Sequence, residues 1–334
     1  MHIIHRDSFK LAQVLVQAGR LPIFEEKAGG GYVTVGVFDG VHRGHQQIIT
    51  GMAEAARSAG GVALALVFDP HPATALETTG GPLLRLLTTV EERAELLAAL
   101  GLDILIVSPF TTATARTPAG DFVEMLVQNL GLAELWGGPD FALGHRREGS
   151  VSFLRQLGAE RGFSIRVVEP LVWEGGLVSS SRIRAALDAG DVRQAAGCLG
   201  RFYRLTGQIV HGDGRGGRLG VPTANLSPPA ERLIPANGIY ACLVHTEHLG
   251  TYPAAVNIGT RPTFPDTSVN QASTVEAYLL DFDGDLYGQM LALDFVARLR
   301  DELAFPNVDA LITQMHKDIA QAREILGDLA HDTI

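Results

Sequence analysis

The sequence predicts two domains of different class. The first is an α/β domain on a doubly wound parallel sheet, and the second is a smaller all-β barrel or sandwich with one long helix at its end. Three observations predict this. Strand-like and helix-like apolar patterns alternate through residues 1–188, as parallel βαβ units require. From Phe202 onward the pattern changes to short β-type runs separated by Gly, Pro and Asn turns. At 334 residues, 46% apolar and 19% charged, the chain is long enough to bury a core in each domain.

The elements follow in order. YVTVGVF (32–38) has the composition of a buried strand. His45 to Arg57 places Ile48, Ile49, Met52, Ala53 and Ala56 at helical spacing. VALALVF (62–68) is the second strand. Thr88-Thr89-Val90-Glu91 has the capping-box pattern and opens a helix to about Leu100. DILIVSPF (103–110) is the third strand, and ELWGG (134–138) and SIRVVEP (164–170) follow, with helices over 119–130 and 152–161 between and around them. A helix over 181–188 precedes breaks at Ala189-Gly190-Asp191 and around Gly197–Gly200. These breaks predict an N-terminal domain of 1–188, a linker of 189–202 and a C-terminal domain of 203–334. YRLTGQIV, GIYACLV, YPAAVNIG, TVEAYLLDF and LALDFVARL supply the β runs of the second domain. In the last helix, 308–329, Ile312, Met315, Ile319, Ala322 and Leu326 recur three and four apart, a stripe that packs against the β domain.

Composition narrows the function. No apolar run approaches the ~20 residues that span a bilayer, and MHIIHRDSFK lacks the basic flank and apolar core of a secretory signal. The expectation is a cytoplasmic protein without membrane partners. Cys198 and Cys242 stand far apart and read as two buried thiols. A net charge of −10 does not suit a broad nucleic-acid surface. Phosphate binding is compatible with that charge if the positive groups are local. With three lysines against 24 arginines, they would be arginine, histidine, backbone N–H groups or a bound cation.

GVFDGVHRGH (36–45) is the first candidate site. Zinc would need further ligands for His42 and His45, and the sequence offers neither an HExxH pattern nor a cysteine pair. Two ordinary turn histidines are a second reading. Gly36, Gly40 and Gly44 at a strand-to-helix turn, followed by free helix N–H groups, fit a phosphate grip best. In VSSSRIRAAL (178–187), hydroxyls precede a helix carrying Arg182 and Arg184. Either this is an ordinary serine cap or it is a second phosphate clamp.

In the second half, HGDGRGGRLGVPTANL (211–226) contains a formal GxGxxG at Gly212, Gly214 and Gly217. No helix follows, so a dinucleotide fold is excluded, and no GK[ST] is present for a Walker A loop. A hairpin turn remains, or a nucleotide-cradling loop with Thr223 and Asn225 as neutral oxygen ligands to Mg²⁺. DFDGDLYG (281–288) fails as a calcium loop, because its glycine and final residue are misplaced, and reads as a solvated turn. Glu276 alternates with Val275, Ala277 and Leu279 and so faces away from them. It is either a surface glutamate or a general base for a hydroxyl nucleophile.

GxFDGxHxGH with a later SSxxIR resembles the HxGH nucleotidyltransferases. FDPHP (68–72), RLLTTVEERAELLAALGLDILIVSPF (85–110) and GGPDFALGHRREG (137–149) extend the resemblance to the N-terminal domain of the prokaryotic bifunctional riboflavin kinase/FAD synthetase family. The PTAN loop, PANGIYA, AAVNIGTRPTF, VEAYLLDFDGDLYGQ, LRDELAF and the final DxxxAR resemble that family's kinase domain, in the same order.

The resemblance implies a Rossmann-like nucleotidyltransferase domain followed by a small antiparallel β-barrel kinase domain. It implies phosphorylation of riboflavin to FMN and adenylylation of FMN to FAD, with ATP and Mg²⁺. By resemblance, Gly36, Phe38, Asp39, Gly40, His42, His45, Ser180, Ser181 and Arg184 bind ATP for adenylyl transfer, and His71 and Asp140 lie near the nucleotide and flavin. Gly212, Gly214, Gly216, Gly220, Thr223 and Asn225 bind ATP in the kinase, Thr223 and Asn225 hold Mg²⁺, and Glu276 is the base. The family often has a basic residue at the position of Gly217, where Arg218 follows instead; Val37 is often Asn, and Ser181 is commonly Thr. Partners are the small-molecule substrates, and a homo-oligomer is neither required nor excluded by the sequence. Two other readings use the same residues: one half kept only as a binding module, or a flavin or nucleotide sensor without turnover.

Overall fold

The computed structural model describes residues 1–5, 11–75, 84–212, 221–260 and 273–331. The chain forms two compact units, Met1–Ser180 and Ser181–Ile334.

The first unit is built on a six-stranded sheet of β1 (His2–His5), β2 (Gly31–Gly36), β3 (Val62–Asp69), β4 (Ile104–Pro109), β5 (Leu132–Gly137) and β6 (Ser164–Val167). Its order is β1-β4-β3-β2-β5-β6, and all its pairings are parallel. The central strand β3 is buried on both faces. Leu64 and Leu66 join a core with Val14, Leu15, Phe122, Val123 and Leu126, while Ala63, Ala65 and Val67 join another with Ile49, Met52, Ala53 and Leu97. Helices on both sides of the sheet explain why this strand reads as an unbroken apolar run. The chain runs outward from β2 through β3 to β4, then returns past β2 to β5. The carboxyl ends of β2 and β5 therefore form a topological switch point, where open α/β sheets bind ligands.

The predicted helices are present as Arg43–Ala59, Val90–Ala99, Ala119–Leu130 and Val151–Arg161. Left-handed Gly60 (φ 64°) and Gly131 (φ 54°) end the first and third of them. The capping box falls one residue later than the sequence pattern suggests. Thr89 Oγ1 accepts from Glu92 N, and Glu92 Oε2 accepts from Thr89 N. Thr88 is occupied elsewhere, its hydroxyl joining Asp39 and Gly40. Strand β1 had no sequence counterpart.

The second unit is a closed antiparallel barrel of β7 (Tyr203–Val210), β8 (Ala224–Ser227), β9 (Gly238–Thr246), β10 (Gly250–Thr260), β11 (Ser273–Leu279) and β12 (Met290–Arg300). The order around it is β7-β8-β11-β10-β9-β12. Tyr203, Leu205 and Ile209 point inward from β7, and Tyr240 meets Phe295 edge-on at 5.3 Å. Strand β8 is an addition to the sequence reading, which left PTAN as a loop. The stretch 189–202, expected as a linker, contains the helix Val192–Leu199, with Asp191 Oδ1 capping Gln194 N. Both cysteines are buried thiols outside any disulfide, as expected.

The final helix, Val308–His331, seats Ala322 and Leu326 against Ala241 and Val296 of the barrel. Met315 and Ile319, nearer its start, are half-buried. Among the described residues, no helix is long and apolar enough to cross a membrane.

Candidate functional sites

The first site forms where β2 ends. The backbone there takes positive φ at Phe38 (53°), Gly40 (80°) and Val41 (40°) before His42 caps the helix Arg43–Ala59. A β-branched residue in that region is strained, and such strain gathers at functional turns. Neighbouring groups hold the loop in place. The Asp39 carboxylate is buried and accepts from Leu87 N, Thr88 N and Thr88 Oγ1 at 3.0–3.1 Å. Thr88 Oγ1 also accepts from Gly40 N at 2.9 Å. Asp39 thus shapes the loop from beneath. Ser180 Oγ donates to the Asp39 carbonyl at 2.8 Å, which brings a serine of the second motif onto the first.

His42 Nδ1 accepts from His45 N at 3.3 Å. That acceptor role places the proton of the neutral ring on Nε2. The two imidazoles stack with centroids 3.5 Å apart and planes 17° apart, and Phe38 meets His45 edge-on at 5.0 Å. Stacked rings present parallel in-plane nitrogens that do not converge on one point. This arrangement suits two oxygens of a phosphate better than a single metal ion. His45 Nδ1 is buried without a hydrogen-bond partner among the described residues. Burial, reinforced by the nearby His42, pushes the His45 imidazole well below its ordinary pKa.

That shift has a sign that can be measured. Below the ordinary histidine pKa of about 6.5 the unfolded chain takes up a proton that folded His45 refuses, so stability falls as pH drops. The His45 contribution is complete above that pH and is progressively lost beneath it. Thermal melts from pH 7.5 to 5 are expected to show a steeper decline for the native protein than for His45→Gln.

Arg43, between the histidines, lies under the Trp173 ring at 4.5 Å, a cation–π contact with a short hairpin (Val172–Trp173 and Gly176–Leu177). Arg93 is a supporting residue that sequence reasoning missed. It is 1% exposed, and it donates to the carbonyls of Val37 (2.9 Å) and Thr89 (3.2 Å) and lies 4.0 Å from Asp69. It ties together the ends of β2 and β3 and the cap of a helix. Arg93→Met is expected to destabilise the first unit by about 3 kcal/mol, read as a lower denaturant midpoint by circular dichroism.

His71 and Asp140 follow β3 and β5, the two strands that flank β2. His71 Nδ1 accepts from Ala73 N at 3.0 Å, and Asp140 is exposed. Ser181 and Arg184 lie on the helix Ser180–Asp188, beyond the division between the units.

The second site lies on the outer face of the barrel. Val275, Ala277 and Leu279 are buried and Glu276 is half-exposed, so the carboxylate points outward as the alternation predicts. Register places Asn225 of β8 opposite Glu276 on one side and Asn257 of β10 opposite it on the other. Directly opposed residues share a face, so the carboxylate sits between two asparagines. Thr223 Oγ1 reaches Glu276 Oε2 at 3.5 Å. A hydroxyl, amides and one carboxylate are hard oxygen donors, a set that fits Mg²⁺ together with phosphate. A Cβ on Gly212 would lie 2.2 Å from Asn225 Nδ2, so a side chain there would displace the Asn225 amide. Gly214, Gly216, Gly217 and Gly220 lie outside the described residues. Sequence reasoning missed Asn257, which only the pairing of β10 with β11 brings to Glu276.

The chain thus carries two candidate sites, a strained strand-to-helix turn with paired imidazoles at a sheet switch point and a carboxylate framed by oxygen donors on a barrel. The FAD synthetase family model matches residues 24–182, and the riboflavin kinase family model matches residues 199–326. Bifunctional riboflavin kinase/FMN adenylyltransferases from Pseudomonas fluorescens and Escherichia coli K12 are each 34% identical to the chain. The first match covers 90% of this chain and 95% of that protein; the second covers 89% and 93%. The chain belongs to the bifunctional riboflavin kinase/FMN adenylyltransferase family. A solved structure described as a macrolide-efflux protein from Streptococcus pneumoniae shares the fold, with a TM-score of 0.80 and 29% identity over 88% of this chain and 94% of that one.

Proposed function

We propose that the barrel phosphorylates riboflavin to FMN and that the α/β unit then adenylylates FMN to FAD, with ATP consumed in each step. The observation that carries this reading is that one chain holds both arrangements, the outward Glu276 between Asn225 and Asn257 and the stacked His42–His45 pair.

In the kinase step, Glu276 accepts the proton of the riboflavin 5′-hydroxyl. The oxygen attacks the γ-phosphorus of ATP, an O–P bond forms, and the bond to the β-phosphate oxygen breaks, releasing ADP. Gly212, Gly214, Gly216 and Gly220 cradle the nucleotide. Thr223 and Asn225 hold Mg²⁺, which when bound neutralises charge on the transferring phosphates.

In the adenylyl step, a phosphate oxygen of FMN attacks the α-phosphorus of a second ATP and pyrophosphate leaves. No covalent enzyme intermediate forms, so the chain contributes position and charge stabilisation. His42 Nε2–H and His45 face the phosphates, at the positive end of the helix that His42 caps. Gly36, Phe38 and Gly40 let the backbone approach, and Asp39 fixes the loop. Ser180, whose hydroxyl meets the Asp39 carbonyl, is assigned to the same phosphates; Ser181 and Arg184 are assigned to them by family resemblance alone. His71 and Asp140 border the nucleotide and flavin.

The adenylyltransferase domain is 1–188 and the kinase domain 203–334, with 189–202 between them. The partners are riboflavin, FMN and ATP, and the setting is the cytoplasm. The test is a time course with riboflavin, ATP and Mg²⁺, resolved by chromatography. FMN is expected to rise and fall while FAD appears after a lag. Absence of ATP consumption with riboflavin would overturn the reading in favour of a sensor.

A further inference from the structure

The final helix packs unevenly on the barrel. Its later half is seated through Ala322 and Leu326. Its earlier half, with Met315 and Ile319, covers a cavity of about 60 Å³ whose barrel side includes Glu276, Asn257 and Tyr278. Asp318, 4% exposed, stands within the earlier half between Met315 and Ile319 and borders the cavity itself. Arg300, the last residue of β12, grips it with Nε on Oδ1 at 2.9 Å and Nη2 on Oδ2 at 2.6 Å. Gln314, one turn earlier, donates to Oδ1 at 2.9 Å. Arg300 is itself held, its Nη1 donating to the Asp301 carbonyl at 2.8 Å.

A bidentate guanidinium–carboxylate pair fixes direction as well as distance. Here it joins a barrel strand to the helix at the cavity wall itself, between Met315 and Ile319. Both Asp318 oxygens are engaged, so the residue is poorly suited to moving protons. The cavity is far smaller than the ~300–1,000 Å³ of ordinary small-molecule sites. It has room for only one part of such a ligand, and its size depends on where its helical wall stands.

We infer that the Arg300–Asp318–Gln314 clamp is a positioning device for riboflavin: it sets the height of the Met315–Ile319 wall above Glu276 and so governs affinity for the flavin, not the rate of phosphoryl transfer. This inference rests on the kinase assignment of Glu276. An apolar wall over the nucleophile's position contacts substrate and transition state alike, so its displacement raises KM and leaves kcat in place.

The experiment is steady-state FMN formation by the full chain with Asp318→Asn, Arg300→Met and the double variant, alongside FMN-to-FAD conversion and thermal melts. Each single variant is expected to raise the riboflavin KM about tenfold, with kcat and the KM for ATP unchanged. The double variant is expected to go no further than either single one, because the two residues act as a unit. Multiplying effects, a fall in kcat alongside KM, or an unaltered KM would each overturn the inference. Should the clamp variants fail to fold, Gln314→Leu keeps the ion pair and is expected to shift the riboflavin KM in the same direction by about threefold; no shift there overturns it equally. If Glu276→Ala still phosphorylates riboflavin, the kinase assignment fails. If that variant is inactive but the clamp variants bind riboflavin normally, only the clamp fails.

Discussion

Replacing Glu276 with alanine is expected to lower FMN formation by about 10²–10⁴-fold, the range of a lost general base, while FMN is still converted to FAD. The carboxylate stands on the outer face of β11 between Asn225 and Asn257. No apolar contact depends on it, since Val275 and Ala277 on either side carry the packing. Glu276→Gln sharpens the experiment. It retains the size of the side chain and a hydrogen bond to Thr223, and removes the negative charge and with it the ability to take a proton. Equal losses in the two variants identify base catalysis. A fully active Glu276→Gln enzyme would refute the role. The readout is FMN from riboflavin and FAD from supplied FMN, measured on the same preparation.

Replacing His42 with alanine is expected to do the reverse. FAD formation from FMN falls by about 10²–10³-fold, the usual loss when one stabilising donor is removed from a transferring centre, and riboflavin is still phosphorylated. His42 has a second task, because its Nδ1 accepts from the His45 amide in the first turn of the helix Arg43–Ala59. Loss of such a cap costs about 1 kcal/mol. His42→Asn separates the two contributions, since asparagine caps helices well but lacks the ring nitrogen directed at the phosphates. It is expected to restore the melting temperature and not the adenylyl transfer. Recovery of FAD synthesis in that variant would mean that His42 serves the helix alone.

The two sites were legible to different degrees. The strand-to-helix turn could be read because spaced glycines and helical spacing from Ile48 to Ala56 leave few other conformations for GVFDGVHRGH. The outward direction of Glu276 could be read because period-two alternation is local. The features that were missed depend on contacts distant in sequence. Asn257 meets Glu276 through register between β10 and β11, which no single strand reveals. Strand β8 is four residues long and carries Asn225, a residue disfavoured in strands, so it looked like loop. Strand β1 exists only by pairing with β4, far along the chain. Arg93 sits in an acidic, polar helical stretch that reads as surface, yet its guanidinium is drawn inward by the carbonyls of Val37 and Thr89. The shift of the capping box from Thr88 to Thr89 has the same origin, because Asp39 and Gly40 take up the hydroxyl that local pattern assigned to the cap.

The stacking of Trp173 on Arg43 has an optical consequence. The chain has two tryptophans, and both belong to the first unit: Trp136, in β5, and Trp173, in the hairpin that lies against the HRGH turn. The barrel itself holds no tryptophan. With Trp136→Phe, the remaining fluorophore rests directly on the residue between the two histidines. Quenching or a spectral shift on adding ATP then reports occupancy of one of the two nucleotide sites, with no label attached and no product formed.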